Sequence, residues 1–207
     1  TLILSSVESL GSELKNKGIS VNKEINLMYN NSRRLLRLIN QLLDYRKAED
    51  KKFVLKASKT NILDFSKSII VDFERESKKR NIDFTLGTNN PGLEVYIDRN
   101  LMDKVYFNLL SNAFKFTPEK GKISISIKED KPNKTVKIFF KDSGIGIPEE
   151  DQAHIFERFY RVDKSHSREI GGTGLGLAIA RNAVIMHRGS IKVYSSKGEG
   201  TTFTVRI

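Results

Sequence analysis

Three groups of residues in this chain have the types and spacing to do chemistry. Gly172, Gly174 and Gly176, in the run Gly171-Gly172-Thr173-Gly174-Leu175-Gly176-Leu177, lack the Cβ atoms that would hold a backbone away from a phosphate. The apolar stretch Leu175 to Ile179 reads as a helix. The pair is either a phosphate cradle at a helix N-terminus or a tight turn that needs glycine for its backbone alone. A second cluster, Asp142-Ser143-Gly144-Ile145-Gly146-Ile147-Pro148, begins with a carboxylate. An acceptor at the end of a strand suits an exocyclic amine such as that of adenine, and equally suits the backbone of the Ser143-Gly144 turn. The third group is Asn108, Asn112 and Lys115, spaced i, i+4, i+7 on one helical line. Buried amides without partners are costly, so these either satisfy neighbouring backbone or face something polar. Amide oxygens suit Mg²⁺, and an ammonium is a point charge for a phosphate.

The elements that must position these groups follow from periodicity. Asn100 to Phe116 reads as the helix bearing the amides, with Asp98 as its N-cap. Ile123, Ile125 and Ile127, then Val136, Ile138 and Phe140, alternate on either side of Asp130 to Lys134, the pattern of a β-hairpin whose second strand delivers Asp142. Upstream, a helix is expected from Leu63 to Lys79. Strands are expected at Ile82 to Leu86 and Leu93 to Ile97, around the turn residues Gly87 to Gly92. Ala48 to Lys59 has the charge density of a linker, although Phe53, Val54 and Leu55 could pair as a short strand. Before it, Thr1 to Lys17 and Ser20 to Lys47 each carry a helical apolar stripe, interrupted at Gly18, and form a helical hairpin. Two helices bury too little to stand alone, so the stripe packs on a second copy as a four-helix bundle or on the rest of this chain.

Composition narrows the class. At 207 residues with 38% hydrophobic and 29% charged residues, the chain has enough sequence for a sizeable core. Its apolar runs fall far short of the ~20 residues that span a bilayer. With no basic leader and no cysteine, it is expected to be cytoplasmic. Of the net charge of +11, residues 1 to 60 contribute +6, from 12 Lys and Arg against 6 Asp and Glu. No helix-turn-helix or zinc spacing accompanies the excess, so it reads as a solvated basic face, with an acidic protein partner open and direct nucleic-acid binding not expected.

Taken together the motifs resemble the sensor histidine kinases of two-component systems. Asn108-x-x-x-Asn112-x-x-Lys115-Phe116-Thr117, Asp142-x-Gly144-x-Gly146, Phe156-Glu157-Arg158-Phe159-Tyr160, Gly172-x-Gly174-x-Gly176-Leu177 and Gly198-Glu199-Gly200-Thr201-Thr202-Phe203 are similar to that family's five boxes, in its order and at its spacing. The hairpin wording is closest to hybrid sensor kinases. The resemblance implies an α+β fold: an N-terminal helical hairpin, half of a dimeric four-helix bundle, and a two-layer sandwich of the GHKL ATP-binding type with three helices on a mixed sheet. The implied domains are a hairpin over 1–50, a linker over 51–59 and an ATP-binding domain over 60–207 with a lid at 147–171. It implies ATP and Mg²⁺ as ligands, with Asn112 on the metal and Asn108 assisting, Lys115 on phosphate and Asp142 on adenine. Gly144, Gly146, Ile147 and Thr202 would line the pocket. Gly172, Thr173, Gly174, Leu175, Gly176 and Leu177 would hold the triphosphate, Arg161 and Lys164 would reach phosphates from the lid, and Phe156 and Phe159 would pack it down.

It also implies a homodimer through residues 1–50, a receiver domain in the same chain or in a separate response regulator, and a full-length parent anchored in the inner membrane with this part on the cytoplasmic side. The family's acceptor histidine is expected upstream of Thr1. His154 and His166 fall in or beside the lid, and His187 ends a helix, where a charge-dipole role is expected. The chain as it stands is therefore expected to bind nucleotide without phosphorylating itself. A hydrolysing ATPase of the same fold needs a carboxylate where this chain has Asn108; a nucleotide-binding or dimerisation module without kinase activity is the other alternative.

Overall fold

The computed structural model describes residues 54–162 and 173–207, together with Ser32 in a helix. The chain divides into two compact units, Thr1–Lys47 and Ala48–Ile207. The expected hairpin helices lie outside the described residues, as does most of the distal lid.

In the second unit the helices begin where the side chains cap them. Asn61 accepts from the Asp64 N–H at 3.0 Å and opens α1 (Ile62–Lys79), whose first turn carries Asp64 and whose last turn carries Lys78 and Lys79, in keeping with the helix dipole. Its Ile62, Phe65, Ile69 and Phe73 are buried. Asp98 opens α2 (Arg99–Phe116) as expected, one oxygen accepting from Asn100 N and Leu101 N at 3.1 and 3.2 Å. The far end of α2 is fixed from outside: the Arg80 guanidinium, just past α1, donates to the carbonyls of Phe114 and Thr117. These are orphan carbonyls of a helix terminus, and one arginine fork satisfies both.

The strands are β1 (Ser58–Asn61), β2 (Asp83–Thr88), β3 (Glu94–Ile97), β4 (Lys122–Asp130), β5 (Thr135–Asp142), β6 (Ser190–Ser196) and β7 (Gly200–Arg206). Five of them form a mixed sheet in the order β2-β4-β5-β7-β6, parallel only between β2 and β4. One expectation changes here. The strand near the linker is Ser58–Asn61, where Thr60 is buried; of the stretch expected to pair, Val54 and Leu55 lie in no strand and Val54 is 75% exposed, while Phe53 lies outside the described residues. β2 and β3 form about where they were expected, on either side of the turn, and belong to different sheets: β3 pairs antiparallel with β1, and β2 with β4.

Between β5 and β6 come the short α3 (Glu149–Gln152) and then α4 (Gly176–Met186). One sheet face presents Ile123, Ile125, Ile127, Val136, Ile138, Phe140, Phe203 and Val205 to α1, α2 and α4; all are buried. Each such side chain contributes about 1.5–3 kcal/mol by leaving water. Tyr106 of α2 sits at the centre, its ring edge-on to Phe140 with centroids 4.9 Å apart and its hydroxyl 2.7 Å from Ser66 Oγ. α2 is thereby locked onto β5, which fixes the amide line relative to Asp142.

Candidate functional site

At the end of β5, Asp142 is 7% exposed, and both alternatives left open by its sequence hold for different atoms. Oδ1 accepts from Gly144 N at 2.9 Å and Thr201 N at 3.2 Å, the turn-capping role. No hydrogen bond from the described residues reaches Oδ2, which is left as an acceptor for a ligand. Burial pushes the Asp142 carboxyl above the usual range, and the two N–H donors pull it back in part. Gly144 is required here because a Cβ would stand 2.7 Å from Phe116 O and 2.8 Å from Asp142 Oδ1. The next glycine, Gly146, has φ of +71° and passes close under Ser196.

The amide line divides similarly. Asn108 satisfies local backbone, Nδ2 donating to Lys104 O at 2.7 Å, and its oxygen abuts the start of α4, where a Cβ on Gly176 would meet it at 2.6 Å. Asn112 is half-buried and takes no hydrogen bond from the described residues, so it is the amide with capacity to spare. At the end of the line, burial and the nearby Arg161 guanidinium push the Lys115 ammonium below its ordinary pKa. Two sequence-predicted phosphate contacts, from α2 and from the lid, are thus within electrostatic reach of each other.

α4 starts at Gly176 with no side-chain cap on its first turn; Leu175 N instead bonds Thr173 Oγ1 at 3.2 Å. Its first residue lies beside Asn108, and a helix N-terminus carries free N–H groups and the positive end of the dipole. In the expected cradle, Leu175 is 1% exposed and Leu177 packs partly buried against the core, so the side chains of both leucines go to the interior. Gly172 and Lys164 lie outside the described residues.

The lid's roots are fastened. Ile147 N donates to Ser195 Oγ at 2.8 Å, and Gln152 Nε2 donates to the carbonyls of Ile147 and Ser195 at 3.0 and 2.8 Å. Phe159 N donates to Gly174 O at 2.9 Å, tying the outgoing root to the returning one. Phe156 packs as expected, its ring 6.2 Å from Phe203 with Arg181 above it, but Phe159 does not: it is 63% exposed with φ of +63°, held there by its backbone bond.

Two further expectations are corrected. Thr202 pairs with Lys141 and Tyr194 on the opposite face of the sheet; the residue beside Asp142 is Thr201. The signal was available, since Thr201 shares parity with the core residues Phe203 and Val205. His187 does not stand free at the helix end. Its Nδ1 bonds Ala183 O at 2.7 Å and its Nε2 accepts the Asp98 N–H at 2.9 Å, so the ring bridges α4 to the cap of α2. Ser195 and Gln152, which anchor the lid, carry no sequence signal beyond lying in a strand and a helical turn.

Residues 97–207 match the profile of the histidine kinase-, DNA gyrase B-, and HSP90-like ATPases. Over 213 aligned positions the chain is 36% identical to histidine kinase P4 of Formosa agariphila, covering 100% of this chain and 15% of that one. It is 39% identical over 175 residues to the sensor histidine kinase WalK of Bacillus subtilis, covering 84% of this chain and 28% of that protein. It therefore spans a minor part of these relatives' length. Among solved structures, the catalytic domain of histidine kinase ThkA superposes with a TM-score of 0.65 at 32% identity, covering 74% of this chain and 95% of that one. ThkA in complex with the response regulator TrrA gives 0.72 at 28% identity, over 99% of this chain and 57% of that one. With an α2 that carries the amides, a buried Asp142 and a glycine loop before α4, the chain belongs to the histidine kinase-, DNA gyrase B- and HSP90-like ATPase family, as a catalytic domain of the sensor and hybrid histidine kinase kind.

Proposed function

We propose that this chain is the ATP-binding kinase core of a two-component sensor histidine kinase, giving the terminal phosphoryl group of ATP to a histidine for onward transfer to a receiver aspartate. The observation that carries the reading is the division of labour at Asp142: one oxygen is consumed by two backbone donors, the other is left to accept an amine, and Gly144 keeps the approach open. Asn112 is the amide suited to hold Mg²⁺, with Asn108 behind it. The ion's part when bound is to neutralise charge on the phosphates. Lys115 and Arg161 offer the cationic end, and the uncapped start of α4 offers backbone donors for the phosphate chain. Water is not activated by this set, because Asn108 cannot take a proton and its amide is committed to Lys104 O.

Dimerisation through residues 1–50 and membrane anchoring of the parent belong to the same reading, as does a receiver partner, which ThkA's solution in complex with a response regulator supports. In the test, the full-length protein is incubated with [γ-³²P]ATP. It should take up label that survives base and is lost in acid, and Asp142→Asn should remove most of it, while the 207-residue chain binds a non-hydrolysable analogue and stays unlabelled. Base-labile label, or label on the 207-residue chain, would sink the proposal.

A further inference from the structure

The three helices cover one face of the five-stranded sheet; the other face is a different kind of surface. Strand alternation turns Lys122, Lys128, Lys137, Lys141, Lys192 and Arg206 to it, and of strand acids only Asp83 and Asp130. That leaves an excess of four positive charges on a sheet face, far from the glycine-rich loop and on the side away from α2. The arrangement is sharper than the count. In the register of β4, β5 and β7, Lys128 is directly opposite Lys137, and Lys137 is directly opposite Arg206. Like charges placed directly across a sheet repel. Among the described residues, Lys137 is the member of this row with an ion pair, to Asp130 at 2.9 Å. Lys128 lies instead over the Phe139 ring, its Nζ 5.6 Å from the centroid. A row of three cations with one carboxylate beside it keeps positive charge to spare for an external counterpart.

We propose that this face docks an acidic helix of a partner protein along the row Lys128, Lys137, Arg206. Neighbouring strands are about 4.8 Å apart, so the row repeats at nearly the spacing of carboxylates at i, i+4 and i+7 on a helix, about 5–6 Å. Nucleic acid fits less well. A flat sheet does not enter a groove, and a single strand needs successive stacking platforms, whereas Phe139 lies beneath Lys128 and the exposed ring on this face is Tyr194, 60% exposed and two strands away. The face also lies apart from Asp142, Asn112 and Lys115, so docking there leaves the nucleotide site open.

The test uses the whole 207-residue chain. A fluorescein-labelled, alanine-based helical peptide with Glu at i, i+4 and i+7 is titrated by anisotropy at low ionic strength, alongside its Gln counterpart and oligothymidylate. The Glu peptide should bind and the Gln peptide should not. Lys128→Gln combined with Arg206→Gln should weaken the Glu peptide at least tenfold, Lys128→Arg should keep it, and affinity for an ATP analogue should stay unchanged in both. With the repulsion removed, the double variant should melt at the same temperature or higher. The proposal is overturned if the Glu peptide does not bind, or if the double variant binds it as the parent does, which would place the contact on another basic surface such as residues 1 to 60. It is overturned equally if oligothymidylate is the probe this face captures, or if the double variant melts lower, since the row would then be holding the sheet together.

Discussion

The two ends of the proposed nucleotide site are built by different means. The base end is made of backbone: Asp142 Oδ1 is held by the N–H groups of Gly144 and Thr201, Ile145 N bonds Phe116 O at 3.3 Å, and Gly198 N bonds Ile145 O at 2.7 Å. The phosphate end is made of side chains and a helix terminus: Asn112, Lys115, Arg161 and the first turn of α4. A backbone frame is preorganised and brittle, while a side-chain frame can adapt. The same substitution at the two ends should therefore have unequal consequences.

Glycine-to-alanine exchange makes the largest contrast. At Gly144 the new Cβ meets the Phe116 carbonyl at 2.7 Å, and neither that carbonyl nor the Asp142 carboxylate can yield without breaking the frame. Gly144→Ala is expected to cost about 1–3 kcal/mol of stability by overpacking. With Oδ2 displaced, the charge-assisted bond to the base is lost too, roughly a 10- to 150-fold fall in ATP affinity. At Gly176 the obstacle is the Asn108 amide, the end of a side chain that can rotate. Gly176→Ala should melt within a few degrees of the parent and weaken ATP binding without changing affinity for adenosine. Thermal denaturation and calorimetry with both ligands check the pair; equal losses at the two positions would remove the distinction between the ends.

Asn112→Ala comes next. The helix is held by its apolar sides, so the fold should survive, and the loss should appear only with metal present. The fall in Mg-ATP affinity should be at least the roughly tenfold that even an outer-shell change costs a metal site, with affinity in EDTA nearly unchanged. An equal loss in both conditions would make Asn112 a direct phosphate contact.

The two ends were not equally legible in the sequence. Asp142 and Gly144 sit where strand alternation gives way to glycine, and a carboxylate at that junction announces itself. The amide line was visible as a line, yet its division between Asn108, spent on Lys104 O, and Asn112, left available, depends on a rotamer that spacing cannot supply. Thr201 was missed in favour of Thr202 although parity with Phe203 decides it. Ser195, Gln152 and the Arg80 fork fasten the lid root and the end of α2 through long-range contacts, which no local pattern encodes. β1 was misplaced, and the pairing of β3 with it was not foreseen, for the same reason: pairing partners are a property of the tertiary fold, and short strands carry little periodicity of their own.

Lys115→Met probes the cationic end. Burial and Arg161 depress the Lys115 pKa, so the contribution of this group to stability is full above its ordinary range and is lost as pH falls through the depressed value. At neutral pH the lysine carries its charge against burial and the Arg161 charge, and the Met variant should melt slightly higher. ATP affinity should fall by a charge-assisted bond, about 1.5–3 kcal/mol, and the salt dependence of binding should flatten, with adenosine unaffected. A lower melting point in the absence of nucleotide would mean that Lys115 serves the fold.

Asp142→Asn should have the smallest effect on the fold and the most selective one on the ligand. Because burial raises the folded carboxyl, its contribution to stability is complete below the ordinary carboxylate pKa of about 3.9 and is lost as pH rises through the raised folded value. An asparagine keeps an oxygen for Gly144 N and Thr201 N and carries no charge. The variant should then be the more stable protein at neutral pH, by less than about 1 kcal/mol, and the difference should vanish as pH falls below the carboxylate range. With its oxygen committed to the backbone, the amide turns its NH₂ toward the ligand, presenting a donor where the parent presents an acceptor. Adenine nucleotides, which offer an amine, should lose affinity, and hypoxanthine nucleotides, which offer a carbonyl, should gain relative to them. Competition between ATP and inosine triphosphate on parent and variant measures that shift; an unchanged ratio would mean that Asp142 shapes the turn and does not read the base.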